Sequence, residues 1–285
     1  MSLGGSKEAD KINQLHWRRI VVQGKGAYYG SAGKGRAVVL LHGWALGGRS
    51  YKGILRRLVA QNWRVYAPGF PGFGGTSSLD SSAVSLSGYA NWLADFLDVV
   101  HPNEPVAVVG HSFGGGVGIQ FAHDFPEKVR SLVLVNSVGT PAKDFKGKSL
   151  AEKSFLELAF RFPIDSLPGI SHIIPTVVTD ALPNFLFNPK ALWKVATMAH
   201  KVELYKELDE LKRRRLPVVV LWGDKDKIIP QVDSQALCKA LGATGEVLPG
   251  GHSWLFTEPE AFTEILTNVL EVAEKNNIDP DINPN

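Results

Sequence analysis

The stretch from Val106 to Val117 constrains this chain more than any other. Val106 to Val109 is a short apolar run rich in β-branched residues. It reads as a strand buried on both faces, as in a parallel sheet. Gly110-His111-Ser112-Phe113-Gly114 follows at once, and Gly115, Gly116, Val117, Ile119, Phe121 and Ala122 then read as a close-packed helix. The pattern is strand, tight turn, helix, with a serine at the apex, and it matches G-x-S-x-G. The turn is so sharp that side chains two residues before and after Ser112 would collide with neighbouring backbone, and strained backbone favours glycine. Such a turn lifts the Ser112 hydroxyl above the sheet edge. It also aims the backbone N–H of Phe113, near a helix N-terminus, at the space beside it. A glycine-rich βα turn without chemistry fits the same five residues, so the rest of the chain must discriminate.

His16 to Val22 and Gly26 to Tyr29 read as strands of a hairpin split by Gly24-Lys25-Gly26. The glycines between Gly24 and Gly35 make no phosphate loop, because the G-x-G-x-x-G spacing fails and no Gly-Lys-Ser/Thr is present. Ala37 to Leu41 is another buried strand, followed by His42-Gly43-Trp44-Ala45-Leu46-Gly47-Gly48. A glycine-rich loop after a strand can present backbone N–H groups to an anion. The N–H of Trp44 is the candidate donor; the competing reading is a plain loop with a packed Trp. Tyr51 to Gln61 has helical spacing, with Ile54, Leu55, Leu58 and Val59 on one face. Arg64 to Ala67 is a strand, Pro68 to Ser77 a loop, Leu86 to Val100 a helix, and Leu132 to Val135 a strand. Such alternation implies βαβ units and a mainly parallel sheet with helices on both faces. Sites in such sheets lie beyond the C-terminal strand ends. His42, Ser112 and the loop after Val135 all fall at that edge.

Gly139 to Arg215 breaks the alternation. Ser149-Leu-Ala-Glu152 is a capping-box pattern that opens a helix. Asn188-Pro189 caps another helix through Ala199, and Val202 to Lys212 gives one more. Ile170 to Phe187 is too apolar for an exposed loop, so it packs on its own helices or roofs an apolar pocket. The expected organisation is therefore a core of residues 1–138 and 216–285, with residues 139–215 as an inserted helical cap. The sheet resumes at Leu216 to Trp222, with Gly223 to Pro230 as the following loop. Gln231 to Leu241 is a helix, and Glu246 to Leu248 is the last strand, before Pro249-Gly-Gly-His252-Ser-Trp254. Phe262 to Ala273 closes as a helix, and Asn276 to Asn285 reads as a disordered tail.

At 285 residues, the length suits one large domain with an insertion. A net charge of +3 is too small to argue for nucleic acid, and the cluster Lys212 to Arg215 suits a helix C-terminus. The single cysteine, Cys238, excludes an intrachain disulfide framework. No signal-peptide core opens the chain, and no run approaches the roughly 20 apolar residues of a spanning helix. A cytoplasmic protein without stable membrane insertion is expected; the oligomeric state is not legible.

A serine hydroxyl needs a base, and the base needs a third group to fix its tautomer. In this motif the partners follow in the order Ser, Asp/Glu, His. Beyond the presumed cap, His252 is the one histidine, just past a strand at the correct sheet edge. Two acids share the loop after the preceding strand: Asp224 next to the strand, where it can form the turn, and Asp226 further out, where it can reach His252. Asp226 is favoured. The loop after Val135 begins with Asn136, which supplies no charge.

From about Arg18 to Ala273 the chain resembles the α/β-hydrolase superfamily. The matching residues are His42-Gly43, Pro71-Gly-Phe-Gly-Gly-Thr-Ser77, Gly110-His-Ser-Phe-Gly114, Gly223-Asp-Lys-Asp226 with Pro230, and Gly251-His252. The resemblance implies the acid at Asp226, oxyanion donors at the backbone N–H groups of Trp44 and Phe113, and a cap between the sixth and seventh strands. Gly69-Phe70 departs from the aspartate and apolar residue that relatives often carry. The implied activity is serine hydrolysis of small to medium, apolar carboxylic esters through an acyl-enzyme, with no metal or organic cofactor. Ser112 speaks against the dehalogenase and epoxide-hydrolase branches, which place aspartate there. A carbon–carbon bond hydrolase of ring-cleavage products and a slow-turnover ligand sensor that keeps the triad are the alternatives.

Overall fold

The computed structural model describes residues 13–102, 104–140, 174 and 177–278, without the side chains of 177, 200 and 274–278. Strands β1 (His16–Val22) and β2 (Lys25–Ala32) form the expected hairpin. Its turn, however, is Gln23-Gly24, with both residues at positive φ (50° and 73°), and β2 is longer than the sequence suggested. Positive φ at consecutive turn residues matches the right-handed twist of the paired strands.

β3 (Ala37–Leu41), β4 (Arg64–Pro68), β5 (Val106–His111), β6 (Val129–Val135), β7 (Val218–Gly223) and β8 (Thr244–Leu248) follow. Among the described residues the strands form one eight-stranded sheet in the order β1-β2-β4-β3-β5-β6-β7-β8. β2 joins β4 antiparallel; from β4 to β8 every pairing is parallel. β6 and β8 begin three and two residues earlier than their apolar runs indicated, because ladder hydrogen bonds continue through the more polar Arg130 and Thr244.

The helices are α1 (Lys52–Ala60), α2 (Leu86–Val100), α3 (Phe113–Asp124), α4 (Leu182–Phe187), α5 (Pro189–His200), α6 (Tyr205–Arg213), α7 (Gln231–Leu241), α8 (Trp254–Thr257) and α9 (Pro259–Ile278). Side chains of successive strand residues point to opposite faces, and the central strands are buried on both. Val39, Leu41, Val108, Leu132 and Leu134 pack into one core with residues of α2, α3, α6 and α7. Val38, Leu40, Val109, Val133 and Val135 pack into the other with α1 and α9. This is the two-sided α/β architecture expected from the alternation. α9 runs to Ile278, so the first residues of the expected tail are helical.

Between β6 and β7 the chain carries a π turn (Val177–Ala181) and helices α4 to α6. The helix expected from Ser149 lies outside the described residues, as does part of Ile170–Phe187. Asn188 precedes α5, but its side chain makes no capping bond; Pro189 at the first helical position starts the helix instead. The expectation that Ile170–Phe187 is too apolar for exposure fails for several residues. Val178, Leu182, Leu186 and Phe187 are exposed, and Phe187 keeps 79% of its surface. Phe185, though also part-exposed, turns its ring edge-on to Trp44 at 5.7 Å.

Candidate active site

The tight turn between β5 and α3 is built as the glycines require. Ser112 sits at φ 54°, ψ −118°, a region that costs a non-glycine residue energy and persists only where surroundings over-determine it. Here Ser112 N–H donates to Val135 C=O at 2.9 Å, and Ser112 C=O accepts from Gly115 and Val138 N–H at 3.0 and 3.3 Å. A Cβ on Gly114 would lie 2.3 Å from the Leu41 carbonyl oxygen, so only glycine lets α3 approach the end of β3. Ser112 is half-buried. Phe113 opens α3, where the first N–H groups have no intrahelical acceptor; its ring is buried between Phe70 and Tyr89.

The loop after β3 lies against this turn. A Cβ on Gly43 would be 3.4 Å from the Ser112 Cβ, so the backbone entering Trp44 passes beside the serine. The Trp44 indole N–H donates to Leu192 C=O at 2.9 Å. Ala45 follows at φ 63°.

The acid and base come together across the ends of β7 and β8. His252 Nδ1–H donates to Asp226 Oδ2 at 2.8 Å, and both side chains are almost fully buried. Asp226 Oδ1 accepts from the N–H groups of Ile228 and Ile229, each at 2.8 Å, which fixes the carboxylate's orientation. Asp224 instead accepts from Gly250 N–H at 2.8 Å, tying the two loops together as a turn residue. The structure therefore brings Asp226, not Asp224, to His252. Among the described residues, Ser112 Oγ makes no hydrogen bond to His252; His111, which precedes Ser112, places its ring 5.1 Å from that of His252.

Sequence reasoning missed the groups that hold these loops. Tyr51 Oη accepts from Gly43 N–H at 3.0 Å and lies 2.7 Å from His111 Nδ1. The hydroxyl must then donate to Nδ1, which leaves the His111 proton on Nε2, 3.3 Å from His252 C=O. Asn136 Nδ2 donates to the same carbonyl at 2.9 Å, while its Oδ1 accepts from Gly223 N–H at 3.0 Å. One hydrogen-bonded path thus joins the β3 loop, the serine turn and the histidine loop. His42 Nδ1–H donates to Gly43 C=O, and its Nε2 accepts from Phe70 N–H, each at 2.8 Å. Burial pushes His42 down to about 4. Burial, reinforced by the nearby His252, also holds His111 well below the usual histidine range. Both are neutral structural imidazoles. In the sequence His111 is only the x of the motif, Tyr51 reads as the first residue of a helix, and Asn136 reads as an absent acid.

A strained serine at the end of β5, beside donor-rich loops and an Asp–His pair at the same sheet edge, is the arrangement of an α/β hydrolase. Residues 38–265 match the model of the alpha/beta hydrolase family, and the chain belongs to that family. It is 30% identical over 273 residues to an uncharacterized protein of Mycobacterium tuberculosis, covering 85% of this chain and 77% of that one. It is 27% identical over 250 residues to the pimeloyl-[acyl-carrier protein] methyl ester esterase of Aeromonas salmonicida, covering 82% and 95% respectively. An esterase structure from Exiguobacterium antarcticum shares the fold at TM-score 0.74 and 19% identity, covering 90% of this chain and all of that one. Among the described residues no helix is long and apolar enough to cross a membrane.

Proposed function

We propose that this chain is a serine hydrolase that cleaves carboxylic esters of small to medium, apolar substrates through an acyl-enzyme. The observation that carries the reading is the buried Asp226–His252 hydrogen bond at the sheet edge where Ser112 is held at positive φ. His252 takes the Ser112 proton as Oγ attacks the ester carbonyl. The N–H groups of Trp44 and Phe113 stabilise the oxyanion. His252 then protonates the leaving alcohol and deprotonates the water that releases the acid, while Asp226 holds the Nδ1–H tautomer. The missing Ser112–His252 bond is compatible with this, since such bonds often tighten only when substrate binds. The esterase among the relatives supports the ester bond as target. Residues 139–215 act as a helical cap over the core of 1–138 and 216–285, and Phe185 against Trp44 favours an apolar group beneath it.

The test is hydrolysis of a p-nitrophenyl ester series, from acetate to a long acyl chain, by the intact protein and by Ser112→Ala. Turnover that disappears in the variant supports the reading, and the preferred chain length sizes the pocket. Equal turnover in both proteins, or none in either, refutes it.

A further inference from the structure

The loop after β3 is held from the segment between β6 and β7 as well, by two buried side chains of that segment. Asn184, on α4, donates both amide protons into the loop after β3: one to Ala45 C=O at 2.9 Å and one to Leu46 C=O at 3.1 Å. Its Oδ1 accepts from Gly74 N–H at 3.2 Å. Asp180, in the π turn, accepts through Oδ2 from Ser50 N–H at 2.9 Å and from Ser50 Oγ–H at 2.6 Å. Both residues are buried, whereas the apolar side chains of Val178, Leu182, Leu186 and Phe187 around them are exposed. A Cβ on Gly47 would lie 3.1 Å from the Asp180 carboxyl carbon, so the loop and the π turn are in close contact.

The segment these bonds hold contains Ala45, an alanine at φ 63° directly after Trp44. A left-handed alanine persists only where its neighbours enforce it. Within the loop, the turn bond from Leu46 N–H to Gly43 C=O is 3.2 Å long. Asn184 fixes the carbonyl of Ala45 itself, and with it the orientation of the peptides that follow the Trp44 N–H. We infer that Asn184 and Asp180 are positioning residues: they set the backbone of residues 44–50 in the conformation that aims the Trp44 N–H at the oxyanion. This rests on the serine-hydrolase reading above. It adds that the segment between β6 and β7 completes the oxyanion hole besides covering the substrate.

The experiment compares wild type, Asn184→Asp and Asp180→Ala. Asn184→Asp keeps the shape but replaces two donors by an acceptor facing two carbonyls. The expected result is a fall in kcat of about tenfold to a hundredfold, below the roughly 100- to 1,000-fold of losing an oxyanion donor outright because the donor is misaligned and not removed, with KM within about twofold. Affinity for a trifluoromethyl ketone, whose adduct with Ser112 carries the oxyanion, should weaken by the same factor as kcat/KM. Amide exchange across residues 43–50 should accelerate in both variants while exchange in β5 and β6 stays unchanged. A lowered melting temperature with unchanged kcat, ketone affinity and exchange would make both residues merely structural and overturn the inference. If wild type shows no ester turnover, the hydrolase reading fails, and the exchange measurement still decides whether these side chains hold the loop. Unchanged exchange then refutes the inference by itself.

Discussion

Acidifying this protein should destabilise it above the range where carboxylates ordinarily titrate, and His42 makes a sizeable contribution to the effect. His42 titrates at about 4 in the folded chain, against roughly 6.5 in an unfolded one. Between those values the unfolded state binds a proton that the folded state refuses, so stability falls as pH falls. The contribution is fully present above about pH 6.5. At about pH 5 the linkage relation removes about 2 kcal/mol, and near pH 4 the loss approaches about 3 kcal/mol. The structural origin is that Nε2 is occupied as an acceptor for Phe70 N–H and cannot take a proton without breaking that bond. His111, depressed by burial and by His252, adds a loss of the same sign. Asp180 acts oppositely: burial raises its carboxyl, so the folded state gains the proton first and acidification relieves part of the strain. Urea unfolding of wild type and His42→Gln at about pH 7.5 and about pH 5 isolates the effect. The variant should be less stable at the higher pH but lose about 2 kcal/mol less on acidification. Equal losses in the two proteins would refute the assignment of His42 as a neutral, hydrogen-bonded imidazole.

Two further substitutions probe the site. Tyr51→Phe leaves the buried Gly43 N–H and His111 Nδ1 without partners, at about 1–3 kcal/mol for each unpaired group. Its melting temperature and its kcat on the best p-nitrophenyl ester should both fall, and an unchanged melting temperature would contradict the hydrogen-bonded path. Asp226→Asn keeps an oxygen for the Ile228 and Ile229 N–H groups but turns an amide donor toward His252 Nδ1, forcing the wrong tautomer. Its kcat should drop by on the order of 10⁴-fold with KM nearly unchanged, measured by steady-state hydrolysis.

The sequence exposed those parts of the molecule that rest on local pattern. β3, β5, β6 and β7 were legible because strands buried on both faces are continuous apolar runs. The serine turn was legible because its glycines stand where no side chain fits. Asp226 and His252 followed from chain order and their places after strands. What remained hidden depends on contacts between distant residues. Asn184 meets Ala45 across 139 positions and Asp180 meets Ser50 across 130, and no spacing rule links them. Asn136 was set aside because it lacks charge, yet its amide needs none to hold the His252 carbonyl. The hairpin turn was displaced because glutamine seldom adopts the positive φ that Gln23 takes, so Gly24 and Gly26 drew the boundary too late.

Three buried histidines meet at this sheet edge, and their hydrogen bonds separate their tasks. His42 has both ring nitrogens engaged by backbone, one donating and one accepting. His111 is engaged at both ends too, by a tyrosine hydroxyl and a carbonyl. Neither can accept a proton without losing a bond inside a dry core, which is the unfavourable case for a base. His252 alone of the three has a carboxylate on its Nδ1. That partner stabilises the charge a base acquires, and Nε2 is the nitrogen left to acquire it. On this argument the local composition of the site, rich in imidazole, is no ambiguity: two rings are framework whose fixed tautomers orient the loops, and the third is the one proposed above as the proton acceptor. Exchanging His111 for glutamine should therefore disturb the His252 loop through its carbonyl, whereas exchanging His252 removes the only imidazole of the three equipped to be charged.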